Sequence, residues 1–203
     1  MPIKAVIFDL GKVLIPFDFS RGYLGMEKLC NYPAAEIRER IRATDLVYRF
    51  ETGLVEPHDF VAQLSGLLGL RASYAQFCEI WSSIFLPEPL IPENMLAGLK
   101  ARYRLLLLSN TNRIHFEMIR QNYPMLRHFD DFVLSYEVKA MKPDPAIYQA
   151  AIQRALCPAP ECFYTDDIPQ FVEGARAQGI DAVCFESRAQ LEREFALREI
   201  EWG

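Results

Sequence analysis

Four short stretches of this chain put reactive side chains at the ends of apolar runs or just beyond them. Asp9 follows Ala5-Val6-Ile7-Phe8, Ser109 follows Leu105 to Leu108, Lys142 comes soon after Phe132 to Leu134, and the pair Asp166-Asp167 lies just past Cys162 to Tyr164. In order, these offer an oxygen nucleophile, a hydroxyl, an ammonium and an acidic pair suited to a divalent cation. Phosphoryl transfer needs such a set, because it is catalysed mainly by positioning the group and offsetting its charge. Taken singly, each residue has an ordinary reading: an Asp after a strand forms turns or caps helices, and Lys142-Pro143 opens a helix. Adjacent carboxylates are harder to leave uncompensated, since they repel unless a cation, a helix N-terminus or solvent intervenes.

Residues so far apart in sequence share a site only if the fold gathers them. Short apolar runs alternating with helix-like stretches indicate buried parallel strands in βαβ units. The runs Ala5 to Phe8, Leu105 to Leu108, Phe132 to Leu134, Cys162 to Tyr164 and Ala182 to Phe185 predict an α/β fold, a Rossmann-like doubly wound parallel sheet of five strands. Ligands of such sheets sit beyond the carboxyl ends of the strands, where the strand order reverses. Every reactive residue named above falls at such an end or just after one.

About one hundred residues separate the first two runs, far more than one crossover helix requires. Their periodicity is helical. Phe60, Val61, Leu64, Leu67 and Leu68 make one stripe, Phe77, Ile80, Trp81, Ile84 and Phe85 another, and Ile37, Ile41 and Tyr48 mark an earlier helix. Pro57 suits a first helical turn, and Ser73 with Gln76 forms a capping box. Pro16-Phe17-Asp18 and the proline-rich Leu86 to Pro92 read as the outgoing and returning linkers. The expected organisation is a core of residues 1–15 and 91–203, with a small inserted helical cap over residues 16–90, hinged near Asp9.

Composition narrows the partners. The 203 residues carry 22 basic and 27 acidic side chains, a formal charge of -5, with no long basic run, which disfavours nucleic acid. No apolar stretch approaches the roughly 18 residues of a membrane span, and the N-terminal run stops too early for a signal peptide. A cytoplasmic setting is expected, with no sequence sign of an obligate protein partner. Five cysteines without a CxxC pair suggest neither a disulfide framework nor a thiolate zinc site, and the three histidines lack metal-ligand spacing.

The segments Ile7-Phe8-Asp9-Leu10-Gly11-Lys12-Val13-Leu14, Leu108-Ser109-Asn110-Thr111-Asn112, Met141-Lys142-Pro143 and Tyr164-Thr165-Asp166-Asp167 resemble, in order and spacing, the four motifs of the haloacid dehalogenase superfamily. The insert after the first motif is similar to that family's helical cap, and within the superfamily the chain looks most like small cytoplasmic phosphatases of sugar phosphates and related metabolites. The resemblance implies that Asp9 is a nucleophile forming an aspartyl phosphate. Ser109 and the backbone amide of Asn110 would hold the phosphoryl oxygens, and Lys142 would offset the charge shared by nucleophile and phosphate. It also implies Mg²⁺, held by Asp9, the backbone carbonyl of Gly11 and Asp167, with Asp166 as a further ligand or one shell out.

Two positions depart from the family pattern. Many of its phosphatases carry a second aspartate two residues after the nucleophile as general acid and base, where this chain has Gly11; Asp18 or an ordered water is the expected substitute. Phe171 stands where similar sequences often have Asn. Two alternatives remain: a 2-haloacid dehalogenase, which uses the same aspartate without metal and generally lacks a carboxylate at position 167, and a non-catalytic protein that keeps the fold. Selection of the organic part of a small phosphorylated substrate is expected from the cap, with Asp18, Arg21, Tyr48, Arg49 and Glu51 as candidates, and Arg113 as a further phosphate contact.

Overall fold

The computed structural model describes residues 2–203. Five strands, β1 (Ala5–Phe8), β2 (Arg104–Ser109), β3 (Asp131–Leu134), β4 (Cys162–Asp166) and β5 (Asp181–Cys184), form one all-parallel sheet in the order β3-β2-β1-β4-β5. This is the expected α/β sheet. The fifth strand begins one residue earlier than its apolar run and stops before Phe185, whose N–H still donates to the Asp166 carbonyl at 2.9 Å.

Because side chains alternate across a strand, each buried run splits between two faces. Val6, Phe8, Leu105, Leu107 and Phe163 pack on one side with helices α6 (Glu93–Lys100), α7 (Arg113–Asn122) and α11 (Arg188–Leu197). Ala5, Ile7, Leu106, Leu108 and Tyr164 pack on the other with α9 (Pro145–Ala155) and α10 (Pro169–Ala177). The four leucines Leu105 to Leu108 are fully buried, and truncating such a side chain to alanine costs about 2–5 kcal/mol. Continuous apolarity on β2 therefore secures both layers at once.

β1 lies between β2 and β4, with Phe8 level with Leu107 on one side and Thr165 on the other. The chain runs outward from β1 through β2 to β3, then returns to the far side of β1 for β4 and β5. The strand order thus reverses beside the carboxyl end of β1, where Asp9 emerges.

The segment between β1 and α6 carries α1 (Phe19–Glu27), α2 (Ala34–Arg42), α3 (Leu46–Glu51), α4 (Pro57–Leu68) and α5 (Tyr74–Ser82), gathered around a third apolar cluster that includes Ile37, Ile41, Phe50, Phe60, Leu64 and Phe77. The capping box at Ser73 and Gln76 and the first-turn Pro57 are both formed. The single early helix expected from Ile37, Ile41 and Tyr48 is instead two, α2 and α3, and Tyr48 is 59% exposed. The stripe that begins at Phe77 also outruns its helix: α5 ends at Ser82, and Ile84 and Phe85 belong to the return linker.

The two linkers pair with each other. Phe17 and Phe85 form an antiparallel bridge, Asp18 N–H donates to the Ile84 carbonyl at 2.8 Å, and Leu86 N–H donates to the Pro16 carbonyl at 2.9 Å. The connection between cap and core is a short two-stranded ribbon.

A short helix, α8 (Ser135–Val138), follows β3. No helix among the described residues is long and apolar enough to cross a membrane.

Candidate active site

Asp9 leaves β1 with its N–H donating to the Thr165 carbonyl at 3.0 Å, which fixes its backbone against β4. The Lys142 Nζ, buried at the centre of the site, donates to Asp9 Oδ1 and Asp166 Oδ2, both at 2.6 Å, and its third N–H is shared between Tyr164 Oη at 3.1 Å and the Leu108 carbonyl at 3.2 Å. Asp166 is fully committed. Its Oδ2 also accepts the Tyr164 hydroxyl, and its Oδ1 accepts Ile168 N–H at 2.8 Å. Asp166 thus acts as the counter-ion that aims Lys142 at Asp9. Asp167, half-buried beside it, makes no ion pair among the described residues.

Asp9, Asp166 and Asp167 offer carboxylate oxygens that lie within 4.8 Å of one another. Burial raises the Asp9 carboxyl to about 7; Lys142 opposes this and Asp166 adds to it. Burial and Asp166 also raise Asp167, against the pull of Lys12 and Lys142. Burial works against the Lys142 ammonium, but Asp9 and Asp166 outweigh it and hold its pKa above the ordinary lysine value. One ammonium among three carboxylates leaves surplus negative charge, and an all-oxygen donor set of this kind suits a hard divalent cation.

The turn after β2 builds the opposite wall. Ser109 is buried at the strand end, and Asn110 clamps the backbone of Lys142: its Oδ1 accepts Lys142 N–H at 2.8 Å and its Nδ2 donates to the Lys142 carbonyl at 3.1 Å. The buried Ser135 hydroxyl accepts Thr111 N–H and donates to the Thr111 carbonyl, both at 2.9 Å. Asn112 caps α7 by accepting His115 N–H at 3.0 Å.

His115 is buried, and burial lowers its imidazole to about 4. It is therefore neutral, with Nε2–H donating to the Trp81 carbonyl and Nδ1 accepting from Asn112 Nδ2, each at 3.0 Å. The chain Trp81–His115–Asn112 ties the cap to the loop that follows Ser109.

Two cavities meet here. A small chamber of about 70 Å³ is bounded by Leu10, Gly11, Phe17, Ser109, Asn110 and Thr111. A wider one of about 260 Å³ lies within the cap and is largely apolar, with Tyr23, Met26, Ile41, Val47 and Trp81 among its walls and Arg42 and Thr44 as polar groups. Phe19, Glu51, Ile84 and His115 line both.

Gly11 shows why no aspartate stands two residues after Asp9. A Cβ there would lie 2.6 Å from Phe17 Cε1, and the Phe17 ring is itself packed on Phe19 and Phe85. Asp18 is not a free proton donor. It caps α1, accepting Ser20 N–H at 2.9 Å and the Ser20 hydroxyl at 2.7 Å, and these bonds hold its carboxyl below the ordinary range.

The remaining candidates separate by their contacts. Arg21 donates to the Ser83 carbonyl at 2.8 Å, Arg49 faces Asp45, and Arg113 faces Glu56 at 3.5 Å, so each has a structural partner. Only Glu51 of the cap group reaches both cavities. Phe171 lies under the Lys142 ammonium, 5.1 Å from its ring centroid. Tyr164, Asn112, His115 and Phe17 were not foreseen as part of the site. The signal for Tyr164 is present in the alternation: it sits two residues before Asp166 on one strand and so shares its face.

Residues 3–179 match the family model described as haloacid dehalogenase-like hydrolase. The chain is 24% identical to D-ribitol-5-phosphate phosphatase of Bacteroides thetaiotaomicron, across 96% of this chain and 98% of that one. It is 28% identical to a Mycobacterium tuberculosis protein named as a phosphatase, across 98% and 94%. Among solved structures, an HAD-family enzyme of Bacteroides thetaiotaomicron in complex with magnesium and inorganic phosphate superposes with a TM-score of 0.83 at 29% identity, covering 92% of this chain and 96% of that one. The L-2-haloacid dehalogenase of Xanthobacter autotrophicus is more distant, with a TM-score of 0.61 at 22% identity over 98% and 84%, a likeness of fold alone.

Proposed function

The chain belongs to the haloacid dehalogenase-like hydrolases, and within that family we propose that it is a magnesium-dependent phosphomonoesterase acting on a small phosphorylated metabolite, a sugar or polyol phosphate in particular. One observation carries this reading: the Lys142 ammonium joins Asp9 and Asp166 at 2.6 Å each, beside Asp167, whose carboxylate is free to take a cation. A relative that acts on ribitol 5-phosphate and a structural neighbour that holds magnesium and phosphate support it.

In the reaction, an Asp9 oxygen bonds to phosphorus as the ester P–O bond breaks, and water then hydrolyses the aspartyl phosphate. Lys142 offsets the charge that accumulates between Asp9 and the phosphoryl oxygens. Ser109 and the Asn110 amide receive those oxygens in the small chamber. Bound magnesium supplies further charge neutralisation, and Asp9, the Gly11 carbonyl and Asp167 would hold it, with Asp166 acting from behind through Lys142. The organic part of the substrate enters the cap cavity, where Tyr23 and Trp81 offer faces for carbon-bound hydrogens and Arg42 and Thr44 offer polar contacts for hydroxyls. With the cap taken as residues 16–90, the linker residues Phe17, Ile84 and Phe85 line the small chamber.

A panel of sugar, polyol and other metabolite phosphates, scored for magnesium-dependent phosphate release with Asp9→Asn as control, tests the reading. Release that disappears with chelator and with Asp9→Asn is expected. Chloride release from 2-chloropropionate in the presence of chelator, with no phosphate released, would replace it by the dehalogenase; absence of both activities would favour a non-catalytic protein.

A further inference from the structure

Gly11 leaves the scissile ester without the nearby carboxylate that many phosphatases of this family use, and Phe17 fills the room that its side chain would need. With the phosphoryl group held by Ser109 and the Asn110 amide as proposed above, the ester oxygen that joins it to the organic part would face the residues that the small chamber shares with the cap cavity. Four residues line both spaces: Phe19, Glu51, Ile84 and His115. Phe19 and Ile84 have no proton to transfer. His115 has both ring nitrogens engaged, with Trp81 and with Asn112. Glu51 is what remains.

We infer that Glu51 is the catalytic acid and base of this site, giving a proton to the leaving oxygen and taking one from the attacking water. This rests on the phosphomonoesterase reading above. In the first step the Asp9 oxygen bonds to phosphorus, the ester P–O bond breaks, and the Glu51 proton passes to the departing alkoxide, which leaves as an alcohol. In the second, a water oxygen bonds to phosphorus, the Asp9–phosphorus bond breaks, and one proton of that water returns to Glu51. The net change is ester plus water to alcohol plus phosphate, with both carboxyl groups restored.

The backbone places Glu51 firmly. It is the last residue of α3, and the next residue, Thr52, donates its hydroxyl to the Tyr48 carbonyl at 2.8 Å. Gly53 then turns with φ +67°, and a Cβ there would fall 2.0 Å from the Tyr136 carbonyl oxygen, so only glycine lets this turn dock on the core. Glu51 is thereby referenced to the core directly, and not only through the linker ribbon.

Its surroundings suit the task. Burial raises the Glu51 carboxyl to about 7, with the Asn112 side chain acting in the other direction. The groups facing it across the cavity are Tyr23 from α1, Arg42 from α2 and neutral His115 from α7. A carboxyl that titrates near neutral pH is present in both forms, which acid and base catalysis in turn require.

The test compares wild type, Glu51→Gln and Glu51→Asp on a sugar phosphate and on p-nitrophenyl phosphate, with magnesium, from about pH 5 to about pH 9. Alkyl leaving groups need protonation and aryl ones need little. Because kcat/KM reports the transfer to Asp9 and not the hydrolysis that both esters share, Glu51→Gln should lower kcat/KM on the sugar phosphate by about 10² to 10⁴-fold, leave that on the aryl ester nearly unchanged and abolish the limb over which the alkyl rate falls as pH rises through neutrality. Glu51→Asp, which keeps an acid, should retain that limb, so a folding defect is distinguished from lost chemistry. Equal losses of kcat/KM on both esters, or a falling limb that survives in Glu51→Gln, would overturn the assignment while leaving the phosphatase intact. A wild type that releases phosphate from neither ester would remove the phosphatase reading, and this role with it.

Discussion

Asp166 holds Lys142 rather than standing free for a cation: its Oδ2 lies 2.6 Å from the Lys142 Nζ, and Tyr164 and Ile168 N–H satisfy the rest of the carboxylate. The two members of the acidic pair therefore have separable roles. Asp167→Asn should abolish the rise in melting temperature that magnesium gives the wild type, whereas Asp166→Asn should retain most of that rise and lose turnover because Lys142 is no longer aimed. Thermal melts with and without magnesium, beside kcat, check both. Equal loss of the magnesium shift in the two variants would mean that Asp166 ligates directly.

The same geometry makes Lys142 a stability determinant. Lys142→Met leaves Asp9 and Asp166 buried without their cation, and breaking a buried pair costs about 3–5 kcal/mol. Lys142→Met combined with Asp166→Asn removes one of the orphaned charges and should recover a good part of that loss in urea unfolding. Turnover should stay at background in both, since Asp9 lacks its partner either way.

Asn110 grips the Lys142 backbone at both its N–H and its carbonyl. Asn110→Ala releases this clamp while leaving the Asn110 backbone amide in place. A displacement of about 1 Å at a reacting group can cost on the order of 10²-fold in rate, so kcat should fall by roughly that factor with KM little changed. A rise in KM at constant kcat would instead make the side chain a substrate contact.

Much of this site was legible in the sequence because strand ends are where an open parallel sheet presents its residues, and buried parallel strands are written as continuous apolar runs. Asp9, Ser109, Lys142 and Asp167 could be named on that logic. The partners of those residues could not. That Asp166 pairs with Lys142 while Asp167 stands beside it without an ion pair among the described residues is decided by how the end of β4 meets the segment that carries Lys142 ahead of α9, which no local pattern encodes. In the cap, Ile37 and Ile41 were read as core and are buried, but Tyr48 was assigned to the same helix across a break at Ala43, because a three-residue connection between short helices leaves the apolar spacing almost undisturbed. Glu51 was one polar residue among five until its neighbours were known.

Phe17 and Gly11 form a fitted pair. Gly11→Ala places a methyl against the Phe17 ring, 2.6 Å from Cε1, and overpacking of this kind costs about 1–3 kcal/mol. Since the Gly11 φ is not in the left-handed region, the cost comes from crowding and should be relieved by Phe17→Leu. A double-mutant cycle in urea should return a favourable coupling between the two substitutions. Additive losses would show that the ring yields freely.

His115 and Glu51 bias stability in opposite pH windows. Burial lowers the His115 imidazole from 6.5 to about 4, so below pH 6.5 the unfolded chain takes up a proton that the folded chain refuses. Stability from this group is intact above pH 6.5 and falls as pH drops toward 4, by at most about 3 kcal/mol. Glu51 is raised from 4.5 to about 7, so its contribution is complete below pH 4.5 and is lost as pH rises through 7, where the unfolded carboxyl ionises more readily than the folded one. His115→Gln should therefore flatten the acid side of a plot of unfolding free energy against pH, and Glu51→Gln the neutral side, each leaving the other slope in place. If His115→Gln keeps the full acid slope, the slope comes from other groups, and the imidazole is not the neutral bridge between Trp81 and Asn112 that its contacts describe.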